Sequence, residues 1–297
     1  MAEITAQLVK QLRERTGAGM MECKKALDEA QGNLDEAEVV LRKRGQAAAA
    51  KKATRSAKQG LIVIAAEGAK ATVVEVNCES DFVARTDDFQ GLAASLLKHV
   101  EASSAADVEA LLTEAFAEDA STTVGEFIKA KIAKVGENIV LPRFAKLSVE
   151  AGMVATYIHP GAQLGVAVAL AHSEKPGDAL LAELGRDIAM QIAAADPKYV
   201  SRDQVDPAHI AKEADIARDR ARNEGKPEKI LDKIVEGRLS KFYEEVCLLE
   251  QPFIKDNSLS ITELIKQKAT ALGGPICVSG FVRYKVGETA PAEEAAE

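Results

Sequence analysis

The spacing of hydrophobic residues changes near residue 60, and this change most constrains the fold. Before it, apolar residues such as Ile4, Leu8 and Leu12 recur every three or four positions, the spacing of one helix face. After it, residues 61–68 and 71–78 form two runs rich in β-branched side chains, separated by a glycine-containing turn, which predicts a β-hairpin. A chain that uses both spacings in turn is neither all helix nor all sheet. We therefore predict an α+β protein with antiparallel sheets.

Glycines divide the first fifty residues into three short helical patterns. The first pattern ends at residues 16–19, which contain two glycines, and Gly32 separates the second pattern from the third. The sequence therefore predicts a compact three-helix module, which together with a basic tether occupies residues 1–54. The small size of this module suits docking better than catalysis.

The basic tether lies in a segment of unusual composition. Residues 42–58 contain seven basic residues, a run of alanines and no acidic residue. This composition predicts a helical extension or a linker between two folded parts. Two interpretations of its charge stay open: contact with RNA or an acidic partner, and a solvated linker without a binding role.

Strand patterns return further along the chain and indicate a second sheet. A turn from His159 to Ala162 joins two of these strands, and a late strand over residues 276–286 returns to the same sheet. Three consecutive strands are predicted over residues 139–149, 153–159 and 164–172. We therefore predict two α+β core subdomains, the first over residues 55–150 and the second formed by residues 151–194 and 241–287.

Residues 195–240 interrupt the second subdomain and carry small apolar residues at three- and four-residue steps. Gly225 and Pro227 stop one helix and start another. We predict an antiparallel helical hairpin that protrudes from the core and offers a surface for self-association, with structural decoration as the alternative. The tail, residues 288–297, is predicted to be disordered. The apolar stripes of the hairpin are predicted to contain Ile210, Ala214, Ala217, Ala221, Ile230, Ile234 and Phe242.

Charge and hydropathy limit the environment of the chain. The net charge of -8 argues against direct nucleic-acid binding by the chain as a whole, because phosphate backbones are bound through clustered Lys and Arg. Charges interrupt the N-terminal segment, which lacks the apolar core of a secretory signal. The most apolar stretch, residues 165–171, is far shorter than the roughly 20 residues that span a bilayer. We expect a cytoplasmic protein without membrane contact.

Motifs for catalysis or cofactor binding do not emerge. The four cysteines and four histidines are scattered, without the close spacing of metal ligands, so we predict neither a metal nor a cofactor. Residues 17–25 superficially resemble a phosphate-binding loop, but they lack its spacing and follow a helix, whereas such loops follow a strand. A binding protein is therefore favoured. The alternative, an unrecognised enzyme, would require a pocket with convergent polar groups and shifted pKa values.

The segment from Glu75 to Arg85 begins as a strand and then changes character. Ser80 and Asp81 stand where extended structure gives way to a loop or a helix start, and their side chains are suited to capping free backbone amides. On these residues alone, Phe82 would be interpreted as a core residue, because most phenylalanines are buried.

The same segment resembles the loop signature of the elongation factor Ts family, which is usually written with Thr-Asp-Phe-Val. Residues 12–27 resemble the N-terminal signature of this family. Further similar segments follow in family order and extend over nearly the entire chain: residues 157–166, 225–238 and 251–253.

The resemblance implies a non-enzymatic guanine-nucleotide exchange factor that binds elongation factor Tu, both with GDP and without nucleotide. Ser80, Asp81, Phe82 and Val83 would enter Tu beside its nucleotide and displace the elements that hold magnesium and phosphate. Ser80 replaces the usual threonine and keeps the hydroxyl group.

The resemblance also implies that the N-terminal module is UBA-like and docks on the GTPase domain of Tu through Arg13, Met20 and Met21. Packing of the two methionines inside the module is the alternative. The turn at His159 would contact another domain of Tu, although Gln163 stands where an arginine is common. The helical hairpin would mediate a homodimer or a 2:2 complex with Tu.

Overall fold

Two three-stranded antiparallel sheets lie at the centre of the computed structural model, which describes residues 4–175 and 177–290. The predicted α+β class with antiparallel sheets is confirmed. Most of the tail predicted to be disordered, residues 288–297, lies outside the described residues. The first sheet has the order β1 (Gln59–Glu67), β2 (Lys70–Cys78), β5 (Ile139–Ser148), and the second has the order β6 (Gly152–Ile158), β7 (Leu164–Ala171), β10 (Cys277–Lys285).

Three helices precede the first sheet: α1 (Ala6–Thr16), α2 (Met20–Glu29) and α3 (Leu34–Lys52). Gly17 ends α1 in the left-handed conformation, with φ of 67°, which costs a glycine little. The side chain of Asn33 caps the N-terminus of α3 by accepting two backbone N–H groups. The three helices enclose a small core of their own, built around Leu12, Cys23 and Leu27.

Helix α3 continues through much of the basic segment and packs on α7 (Val124–Val135). Arg42 donates a hydrogen bond of 2.7 Å to Glu126, and Ala49 is buried in the core around the first sheet. Gly45 permits the close approach, because a Cβ atom there would lie 3.2 Å from that of Ala133. Up to Lys52, therefore, the basic segment is a packed helix and not a solvated linker.

The first sheet carries its helices on one face, where Val74, Val76 and Phe89 lie in one continuous core. A short hairpin of two small strands precedes α7, and the sequence patterns did not predict it. The remaining elements around this sheet are α4 (Asp81–Ala84), α5 (Asp87–Ala102), α6 (Val108–Thr113), β3 (Ala115–Phe116) and β4 (Asp119–Thr123).

The second sheet repeats this arrangement of elements. After the hairpin β6–β7 come a long helix, a short two-stranded hairpin, a twelve-residue helix and a final strand that pairs with the second strand of the sheet. We call the elements from β1 to β5 the first unit and those from β6 to β10 the second unit. The new elements are α8 (Ala179–Ala195), β8 (Pro252–Phe253), β9 (Asp256–Ser260) and α11 (Ile261–Leu272).

The correspondence between the two units extends to single hydrogen bonds. Asp119 accepts bonds from the backbone and hydroxyl of Ser121, at 3.0 and 2.6 Å. Asp256 accepts bonds from Ser258 at the same two distances. Internal duplication is therefore visible in the structure. Equivalent pairs at one constant separation along the chain include Phe116 and Phe253, Glu126 and Glu263, and Gly136 and Gly273.

Helices α9 (Pro207–Asn223) and α10 (Glu228–Val246) are inserted into the second unit between α8 and β8. They run antiparallel, because the ion pair of Arg218 with Asp232 and the ring contact of His209 with Phe242 progress in opposite directions along the two helices. The stripe of α10 differs from the prediction, since its two buried residues are Leu231 and Val235. Ile230 is exposed, and Leu231 is buried in its place.

The two sheets pack on one another through their other faces, where Ile62, Val73 and Ala167 form a shared core. Each hairpin turn also bonds to the opposite sheet. Ile62 of β1 donates its N–H to Ala162 in the β6–β7 turn, and Val154 of β6 donates to Gly68 in the β1–β2 turn. The turn that contains His159 is therefore held against the first sheet.

Candidate functional site

The turn formed by Ser80, Asp81, Phe82 and Val83 directly follows β2 and includes the single turn of α4. Ser80 caps this helix, because its hydroxyl oxygen accepts the N–H of Val83 at 3.3 Å. Asp81 pairs with Arg85 one helical turn later, at 2.9 Å. The predicted change from strand to capped helix start therefore occurs at the expected residue.

Phe82 projects from this turn into solvent. Its side chain is 80% exposed, more than any other exposed large hydrophobic residue in the described part of the chain. The interpretation of Phe82 as a core residue is therefore wrong. Its neighbours are oriented differently: Val83 packs partly against the core of the first unit and Ala84 is buried within it. One apolar ring is exposed on a turn whose next two residues anchor it.

Two carboxylates hold the base of the turn, and together they form what we call the carboxylate clamp. Glu137 accepts the N–H of Ser80 at 2.9 Å and its hydroxyl group at 2.6 Å. Glu79 in turn accepts the N–H of Asn138 at 2.6 Å. The connection between α7 and β5 and the end of β2 are therefore fastened to each other by reciprocal, charge-assisted hydrogen bonds.

Arg55, which follows α3, joins the same site. Its carbonyl oxygen accepts a bond of 2.8 Å from the side chain of Asn138, and its guanidinium group lies 3.6 Å from Glu79. Beneath the turn, the thiol of Cys78 donates a hydrogen bond of 3.1 Å to the carbonyl of Ser80. Burial, followed by the charge of Glu137, raises the pKa of this thiol to about 12, so it stays protonated at neutral pH.

The other predicted contact residues lie on different elements. Arg13 is exposed on α1, and Met20 and Met21 open α2 with 58% and 66% of their side chains exposed. The alternative of methionines packed inside the module is therefore wrong. His159 is exposed in the β6–β7 turn, where its ring contacts the hydroxyl of Tyr157 at 3.0 Å. The predicted contact residues are thus distributed over three separate places.

The sequence patterns did not indicate Glu79, Glu137 or Asn138 as parts of the site. All three are polar residues at the ends of elements, where a solvated side chain is the usual expectation. Only Gly136 could have been informative, because it stops α7 in the left-handed conformation immediately before Glu137. The contact between the residues that follow Gly136 and the end of β2 depends on tertiary structure.

The basic segment makes ion pairs with carboxylates of the chain itself. Arg42 pairs with Glu126, Arg44 with Glu29 at 2.6 Å, and Arg55 lies beside Glu79. These pairs reduce the positive charge that the segment presents to an external phosphate backbone.

A cleft of about 620 Å³ lies between the N-terminal helices and α7, and its lining includes Arg42, Asp119 and Glu126. The pKa of Asp119 is lowered by its bonds from Ser121, and that of Glu126 is lowered first by the backbone of Thr123. Both carboxyl groups therefore favour the ionised form, and both take part in the hydrogen bonds at the starts of β4 and α7.

Within residues 4–175 and 177–290, no group of three metal-ligating side chains converges, and no helix could span a membrane.

Comparison with known proteins gives concordant results. The family model described as Elongation factor TS matches residues 79–288. Elongation factor Ts of Clostridium kluyveri is 48% identical over 287 residues, which cover 96% of this chain and 93% of that protein. The proteins of the same name from Clostridium perfringens and Clostridium botulinum are 47% and 48% identical over 288 residues, with the same coverage. This chain therefore belongs to the elongation factor Ts family of translation elongation factors.

Proposed function

We propose that this chain is a guanine-nucleotide exchange factor that binds elongation factor Tu and accelerates the release of GDP without performing covalent chemistry. Family membership supports the choice of partner. The observation that carries the mechanism is the ring of Phe82, which is 80% exposed on a turn with a fixed base. When a partner buries an apolar ring of this size, the free energy of the complex falls, so burial of the ring favours binding.

The ring acts as a wedge beside the nucleotide of Tu. A GTPase holds GDP through backbone amides, a lysine and a magnesium ion that all act on the phosphates, so a small displacement of these groups weakens many interactions together. Ser80, Asp81, Phe82 and Val83 form the inserted segment. Burial of the ring provides the free energy for the displacement.

Coupling between the two ligands of Tu follows from thermodynamic reciprocity. If the exchange factor weakens GDP binding by some factor, GDP weakens binding of the exchange factor by the same factor. The chain therefore binds both the GDP-bound and the nucleotide-free state, with preference for the latter, and it leaves when nucleotide returns. One molecule of the factor thus serves many molecules of Tu.

Further contacts hold the two proteins together while the wedge acts. Arg13, Met20 and Met21 provide an adaptable surface on the N-terminal module, since methionine side chains adjust readily to a partner. His159, on the turn held against the first sheet, provides a separate contact. Substitution of these residues should weaken the complex more than it slows GDP release at saturating factor.

The substitution Phe82→Ala tests the wedge directly. Because the ring is exposed, the variant should melt within a few degrees of the unsubstituted chain, whereas loss of a buried phenylalanine would cost roughly 3 to 5 kcal/mol. Release of fluorescent GDP from Tu, measured by stopped flow at saturating factor, should slow roughly tenfold or more, as expected when the burial of one aromatic ring is lost.

Ile254→Ala is the matched control, since it removes another exposed apolar side chain, in the turn between β8 and β9. This control should leave the release rate unchanged. A Phe82→Ala variant that releases GDP as fast as the unsubstituted chain would show that the ring is not the wedge.

The inserted helices offer a surface for assembly. Exposed Ile216 and Ile230 on the inserted helices support a homodimer, or a 2:2 complex with Tu, through α9 and α10. A partner in translation implies a cytoplasmic protein. The alternative of an RNA- or ribosome-associated protein predicts salt-sensitive RNA binding through the basic segment that survives Phe82→Ala.

A further inference from the structure

We propose that Glu137 is a positioning residue for exchange, which acts by fixing the turn that presents Phe82. The inference rests on the proposed function and deepens it. Glu137 lies in the connection between α7 and β5 and binds the N–H and the hydroxyl group of Ser80. It would therefore act through the orientation of the ring and not through contact with nucleotide.

The hydrogen bonds at Ser80 leave this residue little freedom. Its N–H and its hydroxyl group both donate to Glu137, its hydroxyl oxygen accepts from Val83, and its carbonyl accepts from the thiol of Cys78. Hydrogen bonds to a charged acceptor are about twice as strong as those between neutral groups. Glu137 supplies both of these stronger bonds. The residue that opens the helix of the wedge is therefore fixed by one side chain from another element.

The second unit shows that this clamp is not required by the fold. The strand registers place Glu174 and Gly274 at the positions equivalent to Ser80 and Glu137. Gly274 has no side chain that could accept a hydrogen bond, so the contact made by Glu137 has no counterpart there. The second unit nevertheless has the same strand order and the same succession of long helix, short hairpin, twelve-residue helix and final strand, although α4 and α6 have no counterpart among its described residues. The clamp is an addition of the first unit, which is the unit that carries an exposed phenylalanine at this turn.

A fixed turn has a physical advantage for a wedge. Ordering a mobile segment during binding costs conformational entropy, which is subtracted from the free energy gained by burying the ring. A turn that is already ordered avoids this entropy cost, so more of the free energy from burying the ring is available to displace the groups that hold the nucleotide. Loss of the clamp should therefore slow release at saturating factor, whereas the concentration needed for half-saturation should change less, because the other contacts remain.

The first experiment measures the order of the turn without any partner. The chain contains no tryptophan, so Phe82→Trp places a single tryptophan at the tip, which can be excited selectively over the four tyrosines. Time-resolved anisotropy should show a larger fast depolarisation when Glu137→Ala is added. Glu263→Ala is the matched control, because Glu263 also accepts the N–H and hydroxyl of one serine, Ser260, in the second unit. This control should leave the anisotropy decay unchanged.

The second experiment measures exchange with the natural Phe82. Glu137→Ala should lower the maximal rate of GDP release roughly tenfold, as expected for the loss of charge-assisted hydrogen bonds, and Glu263→Ala should not. When Phe82→Ala is already present, adding Glu137→Ala should have little further effect, because a positioning residue has nothing left to position. If Glu137→Ala does not fold, Glu137→Gln replaces it, since glutamine keeps one acceptor oxygen at nearly the same volume.

Unchanged anisotropy and an unchanged maximal rate in folded Glu137→Ala would overturn the inference. Equal slowing by Glu137→Ala with and without the Phe82→Ala substitution would also overturn it, because Glu137 would then act independently of the ring. If Phe82→Ala itself leaves GDP release unaffected, the proposed function fails. The anisotropy result then still decides separately whether Glu137 orders the turn.

Discussion

At the scale of single residues, Cys78 shows how burial fixes a protonation state beside the site. The thiol is fully buried, donates to the carbonyl of Ser80 and lies near the carboxylate of Glu137. Burial, which penalises the thiolate, raises the pKa from 9.0 to about 12. The thiol thus acts as a neutral hydrogen-bond donor, and a thiolate at this position would face both a carbonyl oxygen and a carboxylate.

This shift predicts a loss of stability in alkali. Between pH 9 and pH 12 the unfolded chain binds fewer protons at this thiol than the folded chain does, so the free energy of unfolding falls as the pH rises. The contribution of Cys78 to this loss should be on the order of 1 kcal/mol between about pH 8 and about pH 10. The free energy of unfolding, measured with urea at both pH values, should fall less for Cys78→Ala than for the unsubstituted chain. Equal pH dependence in the two proteins would contradict the shift.

At the scale of elements, the duplicated units separate what the fold requires from what was added. Both twelve-residue helices, α7 and α11, start with a capping box and end at a left-handed glycine. The long helices α5 and α8 each bury a polar residue, His99 or Gln191, that accepts a backbone N–H from the following short hairpin. These shared features belong to the fold. The carboxylate clamp and the inserted helices each occur in only one unit.

The inserted helices expose apolar side chains that could mediate self-association. Ile216 and Ile230 are exposed on α9 and α10, so a charge on this surface should oppose self-association. Sedimentation velocity should show a dimer for the unsubstituted chain and a monomer for Ile216→Lys. Ile254→Lys, which charges an exposed apolar site elsewhere, should remain dimeric. If the unsubstituted chain sediments as a monomer without Tu, the predicted homodimer is wrong, and these helices could then assemble only in a 2:2 complex with Tu.

At the scale of the whole molecule, the packing of the two sheets fixes the position of the site relative to the other contacts. Glu75, fully buried in β2, accepts a 2.6 Å bond from Arg143 and a 2.8 Å bond from the N–H of Gly287. The guanidinium of Arg143 also lies 4.0 Å from the ring centre of Tyr284 in β10. This network fastens the end of the second unit to the strand that leads to Ser80.

Close approach of the sheets predicts the effect of one added methyl group. A Cβ atom on Gly165 would lie 2.5 Å from Cγ2 of Ile62 on the opposite sheet. Gly165→Ala should therefore destabilise the fold by roughly 1 to 3 kcal/mol, measured by urea unfolding. Ile62→Ala in the same chain should relieve part of that cost, so the two effects should not add. Gly237→Ala, with open space around it in α10, should stabilise slightly, and equal effects at both glycines would contradict the close approach.

Local patterns in the sequence were sufficient for much of the secondary structure. The three N-terminal helices and the hairpins β1–β2 and β6–β7 follow from hydrophobic spacing, turn residues and glycines. These features act over a few residues, so they can be recognised without knowledge of the fold. The short hairpins β3–β4 and β8–β9 were missed, because the first strand of each has only two residues, which is too short to show alternation.

Short-range patterns along the chain were enough to establish the α+β class, the order of most elements and, through the signature around Ser80, the family. Three features became visible only in the folded chain: Phe82 is exposed, Leu231 is buried in place of Ile230, and Glu137 binds Ser80. The physical reason is that exposure and such contacts depend on elements distant in sequence. Phe82 is exposed because its neighbours Val83 and Ala84 occupy the core, and Glu137 reaches the turn because β5 pairs with β2.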